Sequence, residues 1–151
     1  MEAEEAIRRA GQDERISSLE GYFLCSCFAC INSPDKEVNE WTLLYYNPSI
    51  QKVLDCFVNE QFVTPGEETP PIAEIEKADL SQVKISHNTA LSIAKENFKG
   101  GTISVLITLH KNPLVWTINL ISPAMIATTL DIDAESGKIL RKEETSLVRK
   151  V

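Results

Sequence analysis

Two stretches of the sequence, residues 41–50 (WTLLYYNPSI) and residues 116–125 (WTINLISPAM), share a pattern that decides the fold. In each, a Trp-Thr pair is followed by five mostly apolar residues and then by a proline, and the two stretches stand 75 residues apart in a chain of 151. A period this long, present twice, does not build a solenoid, which needs several short repeats. We therefore predict that the chain is a duplicated half-length unit and forms two similar lobes.

The boundary between the halves is predicted at residues 65–71, PGEETPP. Three prolines and a glycine disfavour both a helix and a sheet, as in a linker. The predicted domains are a first unit at 1–64, a linker at 65–71 and a second unit at 72–151.

Each half reads as one helix followed by antiparallel strands. In the second half, Ser86 is a typical helix N-cap, and Ala90, Leu91 and Ala94 give the helix to about Phe98 an apolar face. Alternating apolar residues then predict four strands joined by short hairpins, near 103–110, 114–120, 126–133 and 139–145. The first half is interpreted in the same way, with a helix at 2–13 and strands near 22–31, 40–46, 53–58 and 61–64. The predicted fold class is α+β, with two tandem units that each pack a helix on an antiparallel sheet of about four strands.

One position departs from the repeat. At a shift of 75, Asp55 falls on the inward-facing Leu130. A one-residue bulge would turn Leu54, Cys56 and Val58 inward instead.

The second half resembles a PepSY domain, a family with a cystatin-like helix-on-sheet shape. The resemblance covers about residues 80–145 and is much weaker in the first half, where Trp41, Val58 and Phe62 carry it. The residues that carry it in the second half are Ala90, Leu91, Ala94, Trp116, Asp133, Ala134, Gly137 and Ile139. The family's motif is structural, so the resemblance implies turn roles for Asp133 and Gly137. It also implies an association with propeptides and cell-envelope proteins, and an inhibitory or regulatory contact with proteases.

Composition excludes several classes of function. The net charge of −7, with scattered basic residues, argues against nucleic-acid binding, which needs a concentrated Lys/Arg face. No apolar segment approaches the roughly 20 residues of a membrane span. The N-terminal stretch MEAEEAIRRAG is acidic where a signal peptide would be basic and then apolar, so we expect a cytoplasmic protein.

Four cysteines raise the question of a thiolate metal site. On a regular strand Cys25 and Cys27 point to one face and Cys30 to the other, and their surroundings (FLCSCFACI) are strongly apolar. We interpret these three and Cys56 as free thiols of the core, and predict no metal and no cofactor.

Candidate catalytic groups are equally sparse. His87 falls in the first turn of the predicted helix and His110 in a hairpin, and both are interpreted as exposed residues rather than as bases for a cysteine nucleophile. The segment Asp131-x-Asp133-x-Glu135 is similar to a calcium loop, but its glycine comes one position late, so a solvated strand edge is favoured. No catalytic residue is predicted.

The two tryptophans and the first strand bear on partners. Trp41 and Trp116 alternate with apolar residues, which favours burial beneath the helices over a recognition surface. Residues 22–31 are apolar on both faces, so we expect the other lobe or a partner chain to cover them. This allows a homo-oligomer through the first-half strand.

The predicted function is a non-enzymatic binding or regulatory module that contacts a protein or peptide. The alternative is a small-ligand-binding protein or enzyme, with its pocket between a helix and a curved sheet.

Overall fold

The computed structural model describes residues 1–73 and 75–148; position 74 and positions 149–151, at the end of the predicted second unit, lie outside the described residues. Its helices are α1 (Ala3–Gln12), α2 (Glu14–Ser17) and α3 (His87–Glu96), and a 3-10 turn spans Leu80–Gln82. The strands are β1 (Phe23–Ile31), β2 (Glu40–Asn47), β3 (Lys52–Asn59), β4 (Val63–Thr69), β5 (Ser104–His110), β6 (Val115–Ile121), β7 (Ile126–Asp133) and β8 (Ile139–Ser146).

All eight strands belong to one antiparallel sheet in the order β4-β3-β2-β1-β5-β6-β7-β8. The predicted α+β class is confirmed. Instead of forming separate sheets, the two halves join edge to edge where β1 pairs with β5. Each edge of β1 is therefore already paired, one with β2 and the other with β5.

The joint between the halves has an internal two-fold relation. Phe28 pairs with Thr42 on one side, and Thr108 pairs with Thr117 in the other half. Since Thr42 and Thr117 are the threonines of the Trp-Thr repeat, Phe28 and Thr108 hold corresponding positions. These two residues lie opposite each other across β1 and β5, so the relation between the halves passes through their pair.

Helices α1 and α3 pack on the same face of the sheet, which we call the front face, through matched alanines. Ala6 and Ala10 stand four and eight residues after the N-cap of α1, and Ala90 and Ala94 hold the same places after the N-cap of α3. All four are fully buried in the single core cluster beneath the helices. Small side chains at one-turn spacing let each helix approach the sheet closely.

Both tryptophans lie in this core, as predicted. Trp41 is 0% exposed and Trp116 is 1% exposed. The Trp41 Nε1 donates a hydrogen bond to the Met1 carbonyl at 2.9 Å, and the Trp116 Nε1 donates to the Ile85 carbonyl at 3.1 Å. Each acceptor directly precedes the N-cap of its helix, so the indole fixes where that helix begins against the sheet.

The interpretation of residues 65–71 as a linker is wrong for its first five residues, which belong to strand β4. β4 is an edge strand, where a proline's missing N–H can face outward without breaking the ladder. The register between β3 and β4 shifts between Leu54 and Cys56, close to Pro65 and Gly66. This irregularity lets the edge strand contain the proline and the glycine.

The predicted inward set Leu54, Cys56 and Val58 lies in the core, but not because of a bulge in β3. The pairing of β2 with β3 is regular throughout. The extra residue lies instead in the connection between β2 and β3. Four residues separate Asn47 from its partner Lys52 in the first half, whereas three separate Ser122 from its hydrogen-bond partner Ile126 at the corresponding place in the second half.

Candidate functional site

The space between the helices and the sheet is filled. The cavity there, beside His87 and Trp116, has a volume of about 10 Å³, too small for more than a single water. The alternative of a ligand pocket between helix and sheet therefore has no room on this side of the described structure.

His87 packs against both tryptophans on the front face. Its ring centroid lies 5.2 Å from that of Trp41 and 6.4 Å from that of Trp116, and the residue is only 2% exposed. The prediction of an exposed His87 is thus wrong, because the first turn of α3 lies against the N-terminal segment. The Nδ1 atom is buried without a hydrogen-bond partner among the described residues, although a Glu2 carboxylate oxygen lies 3.4 Å away.

We expect His87→Phe to remove part of the acid sensitivity of folding. Burial lowers the pKa of His87 below the ordinary 6.5, against the raising effect of Glu2. The unfolded chain therefore takes up a proton before the folded chain does, so stability is complete above pH 6.5 and falls as the pH drops below it. A phenylalanine keeps a ring packed against the tryptophans. Between pH 7.5 and 5.5, the free energy of unfolding measured with urea should fall by about 1 kcal/mol less in this variant than in the wild type.

His110→Gln is the matched variant, since burial and Lys111 also lower the pKa of His110. It should leave the contribution of His87 in place. An unchanged pH dependence in His87→Phe would contradict the prediction.

The opposite face of the sheet, the back face, carries a groove of about 790 Å³. Its floor consists of Ser26, Phe28, Leu44, Val53 and Asp55, from three adjacent strands. The connection after β4, described at residues 70–73 and 75–77, forms one wall; we call these residues the crossing segment. His110 and Lys111, at the end of β5, lie at the other wall.

Two contacts fix the ends of the crossing segment against the sheet. The Tyr22 hydroxyl donates a 2.6 Å hydrogen bond to Glu68 in β4, just before the segment. At its far end, the Lys77 Nζ lies 5.7 Å from the centroid of the Phe23 ring, within the range of a cation–π contact. Between them Ile72 is fully exposed at the groove rim.

A bulge in β1 creates the floor of the groove. The register between β1 and β2 slips between Leu24 and Ser26, which leaves Cys25 as the extra residue. Cys25 lines the groove and donates a 3.2 Å hydrogen bond to the Leu44 carbonyl, while Cys27 stays in the front-face core. The prediction that these two cysteines share one face is therefore wrong.

The cysteines do not converge on a reactive centre. Burial raises the pKa of Cys25 and of Cys56 to about 11, and that of Cys27 to about 12, so these thiols stay protonated at neutral pH. Cys30 is exposed. Within residues 1–73 and 75–148, no three His, Cys, Asp or Glu side chains form a group that could hold a metal ion.

A row of polar side chains crosses the back face of the second half, from the groove wall to the sheet edge. His110 Nε2 lies 2.8 Å from the Thr117 hydroxyl, which donates to Asp131 Oδ1 at 2.7 Å. Arg141 Nε donates to Asp131 Oδ2 at 2.9 Å. Because the Thr117 proton goes to Asp131, its oxygen accepts from His110, which places a proton on Nε2.

Asp131 is the fixed charge of this row. Burial alone raises its pKa, but the hydrogen bonds from Thr117 and Arg141 and the nearby Lys111 outweigh that effect, and the net pKa is lowered. The Lys111 Nζ lies 3.9 Å from the same carboxylate, so its charge is partly balanced on that side.

The interpretation of 131–135 as a solvated strand edge is wrong for Asp131, which is buried. It is right for the turn: Asp133 accepts from the backbone N–H groups of Glu135 and Ser136, and Gly137 has a φ of +80°. The exposed Glu135 pairs instead with Lys84. His110, predicted to be an exposed residue of the hairpin, ends strand β5 and is half-buried.

The sequence patterns predict neither the groove nor the role of Asp55 in its floor. In the sequence, Asp55 stands out only as a mismatch in the repeat. That mismatch is the available signal, because a carboxylate between the inward-facing Leu54 and Cys56 must face the back of the sheet. Thr117 gave no signal, since a threonine on a strand is ordinary.

Comparisons with known proteins agree with this description. Residues 84–143 match the model of the PepSY family, "Peptidase propeptide and YPEB domain". The crystal structure of a protein provisionally described as a lipoprotein, from Clostridium difficile 630, is similar over 96% of this chain and 93% of that chain. Its TM-score is 0.66 at 12% sequence identity, so the likeness concerns the fold alone. No curated protein matches the sequence.

The matched region contains the residues on which the resemblance rests. Ala90, Leu91 and Ala94 form the buried face of α3, Trp116 lies beneath it, and Ala134 is buried directly after β7. The family is one of propeptide and regulatory domains rather than of catalytic domains. No helix within the described ranges has the length and apolarity needed to cross a membrane. The second half of this chain is thus similar to the PepSY domain over residues 84–143.

Proposed function

We propose that the protein is a non-enzymatic binding module that holds a segment of a partner protein or peptide in the back-face groove. The observation that carries this proposal is the groove itself: an apolar floor of Phe28, Leu44 and Val53 beneath an anchored crossing segment. The fully exposed Ile72 at its rim is an apolar side chain that a bound segment would cover. The similarity to the PepSY domain makes proteases one class of partner to test.

The back faces of the two halves carry different features, and this difference supports the groove as the binding site. We infer that the halves are two copies of one helix-and-four-strand unit. The first extends beyond the predicted 1–64 because β4 ends at Thr69, and the second lies within 72–151. The matched alanines, the matched indole hydrogen bonds and the two-fold joint all support this inference. The back face of the second copy carries the polar row of Thr117 and Asp131, whereas that of the first carries the groove.

A small organic ligand is the second candidate. A volume of about 790 Å³ lies within the range of small-molecule pockets, about 300–1,000 Å³. The floor of the groove extends across three strands, which suits an extended chain better than a compact molecule.

Site-specific photocrosslinking tests the proposal. A photoreactive phenylalanine analogue at Ile72 should capture a labelled pool of random nonapeptides, because that side chain lies at the groove rim. The same analogue at Phe62, an exposed apolar residue that does not line the groove, is the matched control and should capture far less.

Ser26→Trp, which fills the floor, should abolish capture at position 72 while thermal unfolding remains cooperative. Equal capture at both positions, or capture that survives Ser26→Trp, would show that the groove is not the binding site. Competition of the captured pool by small molecules alone would favour the second candidate.

A further inference from the structure

Asp55 is the one carboxylate in the groove floor, and its surroundings are apolar. It lies directly opposite Leu44 on β2, and Leu44 in turn lies opposite Ser26 on β1. Its other neighbours on the floor include Val53, which is buried. A carboxylate in such surroundings needs a compensating partner or water, because desolvating a charge is costly.

Asp55 forms no ion pair with any other described residue. The ion pairs among the described residues involve other carboxylates: Glu2, Glu5, Asp13, Asp35, Asp131, Glu135 and Glu143. Of the cations near the groove, Lys111 is turned toward Asp131 and Lys77 lies over the Phe23 ring. Gly66, which lies close to Asp55 in the neighbouring strand, has no side chain to cover it.

Apart from Lys111 and Lys77, the charged side chains named around the groove are carboxylates. Glu76, on the crossing segment, lines the groove as a second, exposed carboxylate. Glu68, just before the crossing segment, is a carboxylate that accepts a hydrogen bond from the Tyr22 hydroxyl. Burial and the neighbouring Lys111 lower the pKa of His110, which leaves that ring neutral at pH 7. The groove therefore presents negative charge over an apolar floor, in a protein of net charge −7.

Building on the proposed function, we propose that the groove selects an extended peptide segment carrying a lysine or arginine side chain, whose cation pairs with Asp55. Apolar side chains on either side of that cation pack on Leu44, Val53 and Phe28. Ser26 lies two strands from Asp55, about 10 Å away at the usual strand spacing, so the floor accommodates about three residues of an extended chain. The aliphatic stem of a lysine or arginine suits the apolar surroundings, while its head reaches the carboxylate.

The test uses two labelled pools of nonapeptides with random apolar residues around a fixed centre. The centre is lysine in one pool and norleucine, its uncharged counterpart, in the other. Fluorescence anisotropy with the full-length protein should show about tenfold tighter binding of the lysine pool, the size of one charge-assisted hydrogen bond. Asp55→Asn should reduce that ratio to near one and leave norleucine binding unchanged.

Glu144→Gln, which removes an exposed carboxylate from edge strand β8, is the matched control and should keep the tenfold preference. Thermal melts of both variants establish that they are folded, and Asp55→Lys should transfer the preference to a pool centred on glutamate. Equal binding of the lysine and norleucine pools by the wild type would overturn the inference while the proposed function stands. Absence of binding by either pool would overturn both.

Discussion

Trp116→Ala is expected to lower the free energy of unfolding by about 4 kcal/mol, the usual cost of truncating a fully buried tryptophan. The indole is 1% exposed and its ring centroid lies 6.1 Å from that of Trp41. Truncation removes this packing and also leaves the Ile85 carbonyl without its donor, just where α3 begins. In a chain of this length the midpoint of thermal unfolding should fall by about 12 °C.

Two companion variants separate packing from hydrogen bonding. Trp116→Phe keeps most of the ring and loses the donor, so it should cost about 2 kcal/mol. Trp41→Ala should match Trp116→Ala, since the Trp41 indole makes the corresponding bond to Met1. Urea unfolding measures all three, and a loss below 1 kcal/mol for Trp116→Ala would contradict the described packing.

Thr108→Pro should destabilise the whole chain by about 3 kcal/mol or more, because proline cannot donate to a sheet ladder. Thr108 lies in the middle of β5, between Phe28 of β1 and Thr117 of β6. Because β5 is paired on both sides, the Thr108 N–H faces a neighbouring strand whichever side it points to. Both halves should unfold together, in one transition at a lower urea concentration.

Thr108→Val is the control, since it keeps the backbone donor and suits a strand; it should change stability by less than 1 kcal/mol. Circular dichroism in the far and near ultraviolet should report the same midpoint in the proline variant. Two separate transitions would mean instead that the halves fold independently of their joint.

The regular features of the fold could be predicted from the sequence because they depend on local patterns. The Ser86 cap, the face of Ala90 and Ala94, and the burial of Trp116 all follow from spacing within one helix or strand. The α+β class follows from the same periodicities. The spacing could not predict that the halves share one sheet. The pairing of β1 with β5 is made by backbone groups, so it produces no pattern in the sequence of either strand.

The site was less accessible to sequence reasoning because it depends on register between strands. The bulge at Cys25 exists only relative to β2, and it changes which face that thiol and Phe23 occupy. Asp131 is buried because Thr117 and Arg141 lie beside it on neighbouring strands. His87 is buried because the N-terminal segment folds over it. Each of these contacts joins residues far apart in the chain.

The two-fold relation through Phe28 and Thr108 has a consequence for the origin of the molecule. A symmetry axis through a pair of antiparallel strands is the geometry of a homodimer with a self-complementary interface. When two such subunits are joined in one polypeptide, the interface is kept, but the two sequences no longer have to be identical. Under the proposed duplication, fusion permits an asymmetry that a homodimer of identical chains does not have, with the groove floor behind the first half and the polar row behind the second.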